Sequence, residues 1–253
     1  MRLDSYLFAK GFYTSRTKAL QAVEKGFVLV NGKVGKPSQK IEETDKIEIT
    51  ENQKFVSLGG YKLEKALTDF NFSPKGLTFC DVGASTGGFT HCLLINGATK
   101  VYALDVGESL LDKSLVSDSR VVVVDRTNAR KVNENSLPEL CDGLTVDCSF
   151  ISLKLVLPSI LNLLKENGII IALIKPQFEC GKQFLNKNGI VNNVKVHKRI
   201  LVDIRDFCLS IGLKVNKITT APKVSGKNLE FLIFLSKNGD QISDSDVEKI
   251  LIS

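Results

Sequence analysis

The ten residues Asp81-Val82-Gly83-Ala84-Ser85-Thr86-Gly87-Gly88-Phe89-Thr90 limit the possible folds more than any other stretch. They follow a short apolar run, Leu77-Thr78-Phe79-Cys80, and precede His91-Cys92-Leu93-Leu94-Ile95, which reads as helix. A strand, a glycine-rich turn and a helix in that order form the first unit of a doubly wound α/β sheet. Glycines let the backbone approach a ligand at the strand's carboxyl end, where the helix also presents unpaired N–H groups. The spacing departs from the dinucleotide pattern G-x-G-x-x-G, because Ser85 stands where the second glycine belongs and Gly87-Gly88 comes late. This reading also places an acid, Asp81, inside the turn. A carboxylate there suits a cationic ligand, such as the amino group or sulfonium of S-adenosyl-L-methionine, better than a pyrophosphate.

The chain beyond the turn repeats the strand–helix alternation. Lys100 to Leu104 reads as a second strand ending in Asp105, an acid placed to hydrogen-bond ribose hydroxyls. Arg120 to Val124 is a third strand, closed by Asp125-Arg126-Thr127-Asn128. Gly143 to Val146 leads into Asp147 and then a helix reaching about Leu164. Gly168 to Ile174 delivers Lys175-Pro176, and the polar stretch Glu179 to Gly189 is long enough for a mobile lid. A helix over 192–211, strands at Lys214–Thr220 and Leu229–Leu235, and a last helical turn near Val247–Leu251 complete the series. Upstream, Gly59-Gly60 precedes a helical pattern whose apolar stripe is Leu63, Ala66 and Leu67, with Lys62 on its flank. A mostly parallel sheet follows, and its strand ends bring Asp81, Asp105, Asp147 and Lys175 towards one crevice.

The first forty residues are a different kind of chain. They hold 8 Lys+Arg against 2 Asp+Glu, which is the whole net charge of +6 and leaves 26 of each sign elsewhere. Such asymmetry points to an N-terminal piece with an anionic partner. Leu3, Leu7 and Phe8 share one helix face that Gly11 can stop. Ser15 can cap a second helix, ended by Gly26. Phe27 to Val30, the turn Asn31-Gly32 and Lys33-Val34 read as a hairpin, and Lys46 to Ile49 as a further strand. The polar run Thr50-Glu51-Asn52-Gln53-Lys54 suggests domains at 1–50 and 55–253, joined by a linker at 51–54. The six cysteines form no C-x-x-C pair and there are only two histidines, so reduced thiols are expected and no metal site. No apolar run is long enough to span a bilayer and no signal-peptide pattern opens the chain, so a cytoplasmic protein without membrane contact is expected.

Arg2-Leu3-Asp4, Ser15-Arg16-Thr17-Lys18-Ala19 and Val28-Leu29-Val30-Asn31-Gly32-Lys33 resemble the small RNA-binding module of ribosomal small-subunit protein four, pseudouridine synthases and tyrosyl-tRNA synthetases. The resemblance implies RNA contacts from Arg2, Arg16, Lys18, Lys33 and Lys36, made to phosphates and so supplying affinity rather than sequence reading. Lys62, Asp147, Lys175 and Glu230 resemble the Lys–Asp–Lys–Glu tetrad of the FtsJ-like ribose 2′-O-methyltransferases. Together with Ser57 to Leu63, Asp81 to Thr90, Asp125 to Arg130, Asp147 to Leu153, Lys175 to Glu179 and Gly226 to Glu230, they are similar to the motifs of the TlyA family, also labelled haemolysin A. That family joins the same RNA module to the same methyltransferase, and the resemblance covers nearly the whole chain.

The implied fold is α/β: a Rossmann-like S-adenosyl-L-methionine-dependent methyltransferase sheet with a small N-terminal α+β RNA-binding domain. The implied reaction is methylation of a cytidine ribose 2′-hydroxyl in ribosomal RNA within ribosomal subunits. Lys175 is then the base, with Lys62 the neighbouring cation that lowers its proton affinity and helps hold the hydroxyl oxygen. Asp147 orients Lys175 near the sulfonium, and Glu230 positions Lys62 and the ribose. Asp81, Gly83, Ser85, Thr86, Gly87, Gly88, Phe89 and Thr90 cradle the methionine part, Asp105 the ribose, and Asp125, Arg126 and Asn128 the adenine. The family pattern is broken at Leu58, usually arginine, and at Glu108-Ser109, usually Tyr-Gly. The N-terminus lacks a longer basic extension, which favours large-subunit RNA alone as substrate. A monomer or weak dimer is expected.

Three rival readings have distinct signatures. A nicotinamide dehydrogenase needs the glycine fingerprint that Ser85 breaks. A membrane-active cytolysin needs a spanning helix, an alternating barrel or a strongly amphipathic surface helix, none of which the sequence shows. A non-catalytic RNA-binding ribosome assembly factor has no use for the tetrad.

Overall fold

The computed structural model describes residues 1–24, 26–49, 54–224 and 226–252. The chain divides into two compact units, Met1–Leu58 and Gly59–Ser253. Most of the linker anticipated at 51–54 lies outside the described residues.

In the first unit, α1 (Leu3–Ala9) and α2 (Arg16–Glu24) precede three short strands, β1 (Val28–Val30), β2 (Lys33–Val34) and β3 (Ile47–Ile49). β1 is central, and both neighbours pair with it antiparallel. Ser15 Oγ accepts the Lys18 N–H at 3.2 Å, the N-cap contact that starts α2. The hairpin turn uses left-handed backbone at both central residues, Asn31 (φ 52) and Gly32 (φ 73). That geometry matches the twist of the flanking strands. Leu3, Leu7, Ala19, Ala22, Val23, Val28, Val30 and Ile41 form the core.

The second unit opens with α3 (Gly59–Asp69) and proceeds through β4 (Thr78–Val82), α4 (Gly88–Ile95), β5 (Lys100–Leu104), α5 (Lys113–Val116), β6 (Val121–Val124) and β7 (Cys141–Val146). Next come α6 (Leu153–Ile160), β8 (Leu164–Ile174), α7 (Pro176–Glu179), α8 (Val194–Ser210), β9 (Lys214–Thr220), β10 (Phe231–Ser236) and α9 (Asp244–Ile252). The sheet order is β6-β5-β4-β7-β8-β10-β9. β4 to β8 are parallel, whereas β10 runs antiparallel to both β8 and β9. The sequence suggested the strands but not this reversal. β10 follows β9 after a connection too short for the crossover a parallel strand needs.

Alternation along the strands sorts the two faces. Cys80, Val82, Leu144, Val146, Ile170, Ala172, Ile174, Phe231 and Ile233 share one cluster with α6 and α8. The positions between them face the other way, towards α3 and α4. Strand order reverses between β4 and β7, so the crevice of an open sheet lies at their carboxyl ends. Among the described residues no helix is long and apolar enough to cross a membrane.

Candidate active site

The turn after β4 is built around close approaches. Gly83 has φ +84, and a Cβ there would stand 3.0 Å from the Asp147 carbonyl oxygen at the end of β7. Ser85, at the fingerprint's missing glycine, holds the glycine-like backbone anyway, with φ 50. Asp105 helps hold it there: Oδ2 accepts the Ser85 N–H and Oδ1 the Gly107 N–H, each at 2.8 Å. Asp125 Oδ2 accepts the Ser109 N–H at 2.9 Å, so the two loops after β5 and β6 are tied together. Arg126 pairs with Glu108, and Asn128 accepts the Arg130 N–H at 3.0 Å. Departure from the family pattern at Glu108-Ser109 therefore sits on the rim of this crevice.

Exposure divides the turn. Ser85 and Thr86 are open to solvent, whereas Gly87, Gly88, Phe89 and Thr90 are buried. At Gly87 the space a Cβ would take is filled by Leu115 and Leu111. Asp81 is corrected: it lies inside β4, not in the turn, and is 0% exposed. Its Oδ2 accepts the Thr90 N–H (2.9 Å) and Oγ–H (2.7 Å), and Oδ1 accepts the Thr145 hydroxyl (2.9 Å). The carboxyl therefore clamps α4 and β7 to β4 rather than presenting itself to a ligand. Burial pushes its pKa up to about 6, against the opposing hydrogen bonds of Thr90 and Thr145.

Two lysine–carboxylate pairs stand at the neighbouring strand ends. Lys175 follows β8 directly and is 9% exposed, and its Nζ lies 2.6 Å from Asp147 Oδ1 and 2.8 Å from Ser149 Oγ. The carboxylate contact is an ion pair by distance only; Oδ1 is buried and has no well-angled hydrogen-bond donor. Ser149 instead accepts the directed hydrogen bond. Lys62, on α3, donates to Glu230 Oε2 at 2.6 Å. Glu230 immediately precedes β10, and the pairing Phe231↔Ile174, carried one residue further, sets it opposite Lys175. The four side chains thus come from α3 and from the ends of β7, β8 and β10's start, up to 168 residues apart. Burial pushes the thiol of Cys148, beside Asp147, up to about 12, which disfavours its thiolate.

Three further residues escaped the sequence reading although their motifs were visible. Ser149 holds the Lys175 amine. Phe150 is 91% exposed with left-handed backbone (φ 63), and its ring packs on Phe178 at 5.2 Å between centroids. Glu179 accepts the Ser152 hydroxyl (2.5 Å) and the Leu153 N–H (2.8 Å) at the start of α6.

The basic residues of the first unit are arranged less freely than a surface charge count suggests. Arg2 Nε and Arg16 Nη2 both meet the buried carboxylate of Asp4, at 3.1 and 3.0 Å, while about half of each arginine side chain stays exposed. Lys33 and Lys36 line an open concavity of about 590 Å³ with Asn31, Ser38 and Gln39. Lys18 lies half-buried in the first turn of α2.

Comparison with known proteins fits this geometry. The FtsJ-like methyltransferase family matches residues 55–237 and the S4 domain residues 1–47. Hemolysin A of Brachyspira hyodysenteriae is 40% identical over 235 residues, covering 92% of this chain and 98% of the relative. The 16S/23S rRNA (cytidine-2′-O)-methyltransferase TlyA of Mycobacterium tuberculosis is 35% identical over 248 residues, covering 95% and 91%. A solved structure of a hemolysin-named protein from Streptococcus thermophilus superposes with a TM-score of 0.79 at 35% identity, covering 100% of this chain and 94% of that one. The chain is accordingly a member of the FtsJ-like methyltransferase family, in the TlyA branch that carries an S4 domain ahead of the methyltransferase.

Proposed function

We propose that this chain methylates the 2′-hydroxyl of a cytidine ribose in ribosomal RNA, using S-adenosyl-L-methionine. The Mycobacterium tuberculosis relative is named for that reaction. The observation that carries the proposal is the Lys175 amine, buried at a strand end and held by Asp147 and Ser149, with the Lys62–Glu230 pair opposite.

The crevice suits this cofactor in its donor set. Gly83 lets the Asp147–Cys148 backbone pack closely against the turn after β4, and acids stand at the ends of β5, β6 and β7. Asp147 Oδ1 is a buried acceptor short of an aligned donor, which a cationic, amine-bearing ligand can relieve. Gly83, Ser85 and Thr86 would hold the methionine part, Asp105 the ribose, and Asp125 with Asn128 the adenine side. S-adenosyl-L-methionine supplies a methyl group already activated on a sulfonium.

The protein's share is alignment and a proton acceptor. Alignment accounts for roughly 7–11 kcal/mol in favourable model reactions. Lys175 Nζ would take the 2′-hydroxyl proton as the oxygen bonds the methyl carbon and the methyl–sulfur bond breaks, leaving S-adenosyl-L-homocysteine as a neutral thioether, and Asp147 and Ser149 would accept hydrogen bonds from the resulting ammonium. Lys62, fixed by Glu230, donates to the same oxygen. The exposed Phe150 ring offers a face on which the target base can stack, as single-stranded bases do on aromatic side chains. Arg2, Arg16, Lys18, Lys33 and Lys36 would hold RNA phosphates.

Tritium from labelled S-adenosyl-L-methionine, followed into purified small and large ribosomal subunits, tests the proposal. Label in a cytidine ribose is the expected result. Label on a base, or none in either subunit, overturns it.

A further inference from the structure

The segment Lys175–Glu179 and the loop Asp147–Leu153 meet at three successive points. Lys175 Nζ reaches Asp147 and Ser149, Phe178 packs on Phe150, and Glu179 takes the Ser152 hydroxyl and the Leu153 N–H. The first two contacts are made by groups that the proposed reaction uses. The third is not, and it is the one that fastens both segments to a helix. Ser152 Oγ caps α6 by accepting the Lys154 N–H at 3.2 Å, and Glu179 grips that cap from a segment 27 residues away in sequence.

Between those fastenings lies backbone that would not stay put on its own. Phe150 has φ 63, a left-handed conformation that is strained for a bulky residue and persists only where its surroundings over-determine it. Its side chain is 91% exposed, so packing of its own ring supplies little restraint beyond Phe178. Ser149, just before it, is also exposed apart from its bond to Lys175. Release of the far end of the loop would let Ser149 and Phe150 relax together and leave Lys175 without its directed acceptor.

We propose that Glu179 is a positioning residue for the methyl transfer: its carboxylate, gripping Ser152 and Leu153, holds the Asp147–Phe150 loop strained and in register with Lys175. The inference rests on the proposed ribose methylation for its kinetic consequence but not for its structural one. Glutamine at 179 can still accept the Leu153 N–H and donate to Ser152 Oγ, whereas alanine can do neither.

Glu179→Ala is expected to lower kcat about 100-fold, the loss typical of roughly an ångström of misplacement, with KM for both substrates nearly unchanged. Glu179→Gln is expected to recover most of that loss. Loss in step with the unfolding midpoint, or equal loss in both variants, assigns Glu179 to stability alone and overturns the proposal. A second measurement is independent of activity. The chain has no tryptophan, so Phe150→Trp introduces a single tryptophan on the loop, excited at wavelengths where the four tyrosines absorb little. Adding Glu179→Ala to that background is expected to lower the fluorescence anisotropy, and an unchanged anisotropy overturns the clamp. If the wild-type protein transfers no methyl to ribosomal RNA, the function fails, while the anisotropy comparison still decides the clamp.

Discussion

Asp4 in the first unit and Asp81 in the second are both covered carboxylates, 2% and 0% exposed, yet their surroundings act on them in opposite directions. Asp4 is covered thinly, by the two arginines that bind it. Burial alone would raise its pKa, but hydrogen bonds from Arg2 and Arg16 outweigh that and hold it below the ordinary value. Asp81 sits at the centre of the sheet with two threonines for company, and uncharged donors cannot offset the loss of water, so its pKa rises to about 6. Depth and partner charge act together: thin cover and two guanidiniums lower one, deep burial with only uncharged donors raises the other. Asp147 is a third case: its partner is a lysine, a cation that can lose its proton, whereas arginine keeps its charge. Arginines on the first unit and lysines at the strand ends of the second therefore fit the phosphate contacts and the proton transfer proposed for them.

The sharpest break in that contrast is at Lys175. Lys175→Ala should lower kcat by roughly 10²–10⁴-fold, the usual worth of a general base, and Lys175→Arg should not restore it because a guanidinium accepts no proton. S-adenosyl-L-methionine binding, measured by calorimetry, should survive both changes. Activity retained by the arginine variant would show that the cation, not the base, matters there.

Asp81 comes next. Its folded pKa of about 6 exceeds the ordinary 3.8, so stability tied to its neutral form is complete below about pH 3.8 and lost as pH rises through 6. The difference amounts to on the order of 3 kcal/mol by pH 7. Asp81→Asn should flatten the fall in thermal midpoint of the second unit between pH 4 and pH 7. A parallel decline in wild type and variant would place the titration elsewhere. Asp4 has the opposite sign: its contribution is present above pH 3.8 and lost as pH falls through its lowered folded value.

The smallest effect is the most counterintuitive. Asp4→Asn removes a negative charge from a module proposed to bind an anion, and simple charge counting predicts tighter binding. Because Asp4 orients both guanidiniums, affinity for ribosomal RNA should instead fall about tenfold, ~1.4 kcal/mol. The log–log salt dependence should become shallower by about 0.7 for each phosphate that the module no longer neutralises. Unchanged or tighter binding would show that Arg2 and Arg16 act as independent charges.

How much of this was legible in the sequence follows from the range of the forces involved. The strand–turn–helix at 78–95, the Ser15 cap, the Asn31-Gly32 turn and the acids closing β5, β6 and β7 all depend on neighbours within a few residues. Ser85 is instructive: the sequence shows a broken glycine pattern, and the structure shows serine adopting glycine's backbone with Asp105 bonded to it. The reversed direction of β10, the place of Asp81 inside β4 and the partners of Ser149 and Glu179 were not legible. Each depends on which strand lies alongside which, and pairing partners are distant in the chain.

By itself, then, the chain's local chemistry determined its elements, the segregation of charge into the first forty residues and the motif set that identifies its family. No local chemistry specified which carboxylate meets which cation, a pairing that only the family resemblance implied, because Lys62 and Glu230 are 168 residues apart and their 2.6 Å contact exists only once α3 and the start of β10 are brought together. Tertiary structure also decided that Arg2 and Arg16 share one buried acid and that Asp81 has none but hydroxyl and amide donors. The electrostatics of a carboxyl are set by distances of a few ångströms and by excluded water, and neither quantity exists until the chain has folded.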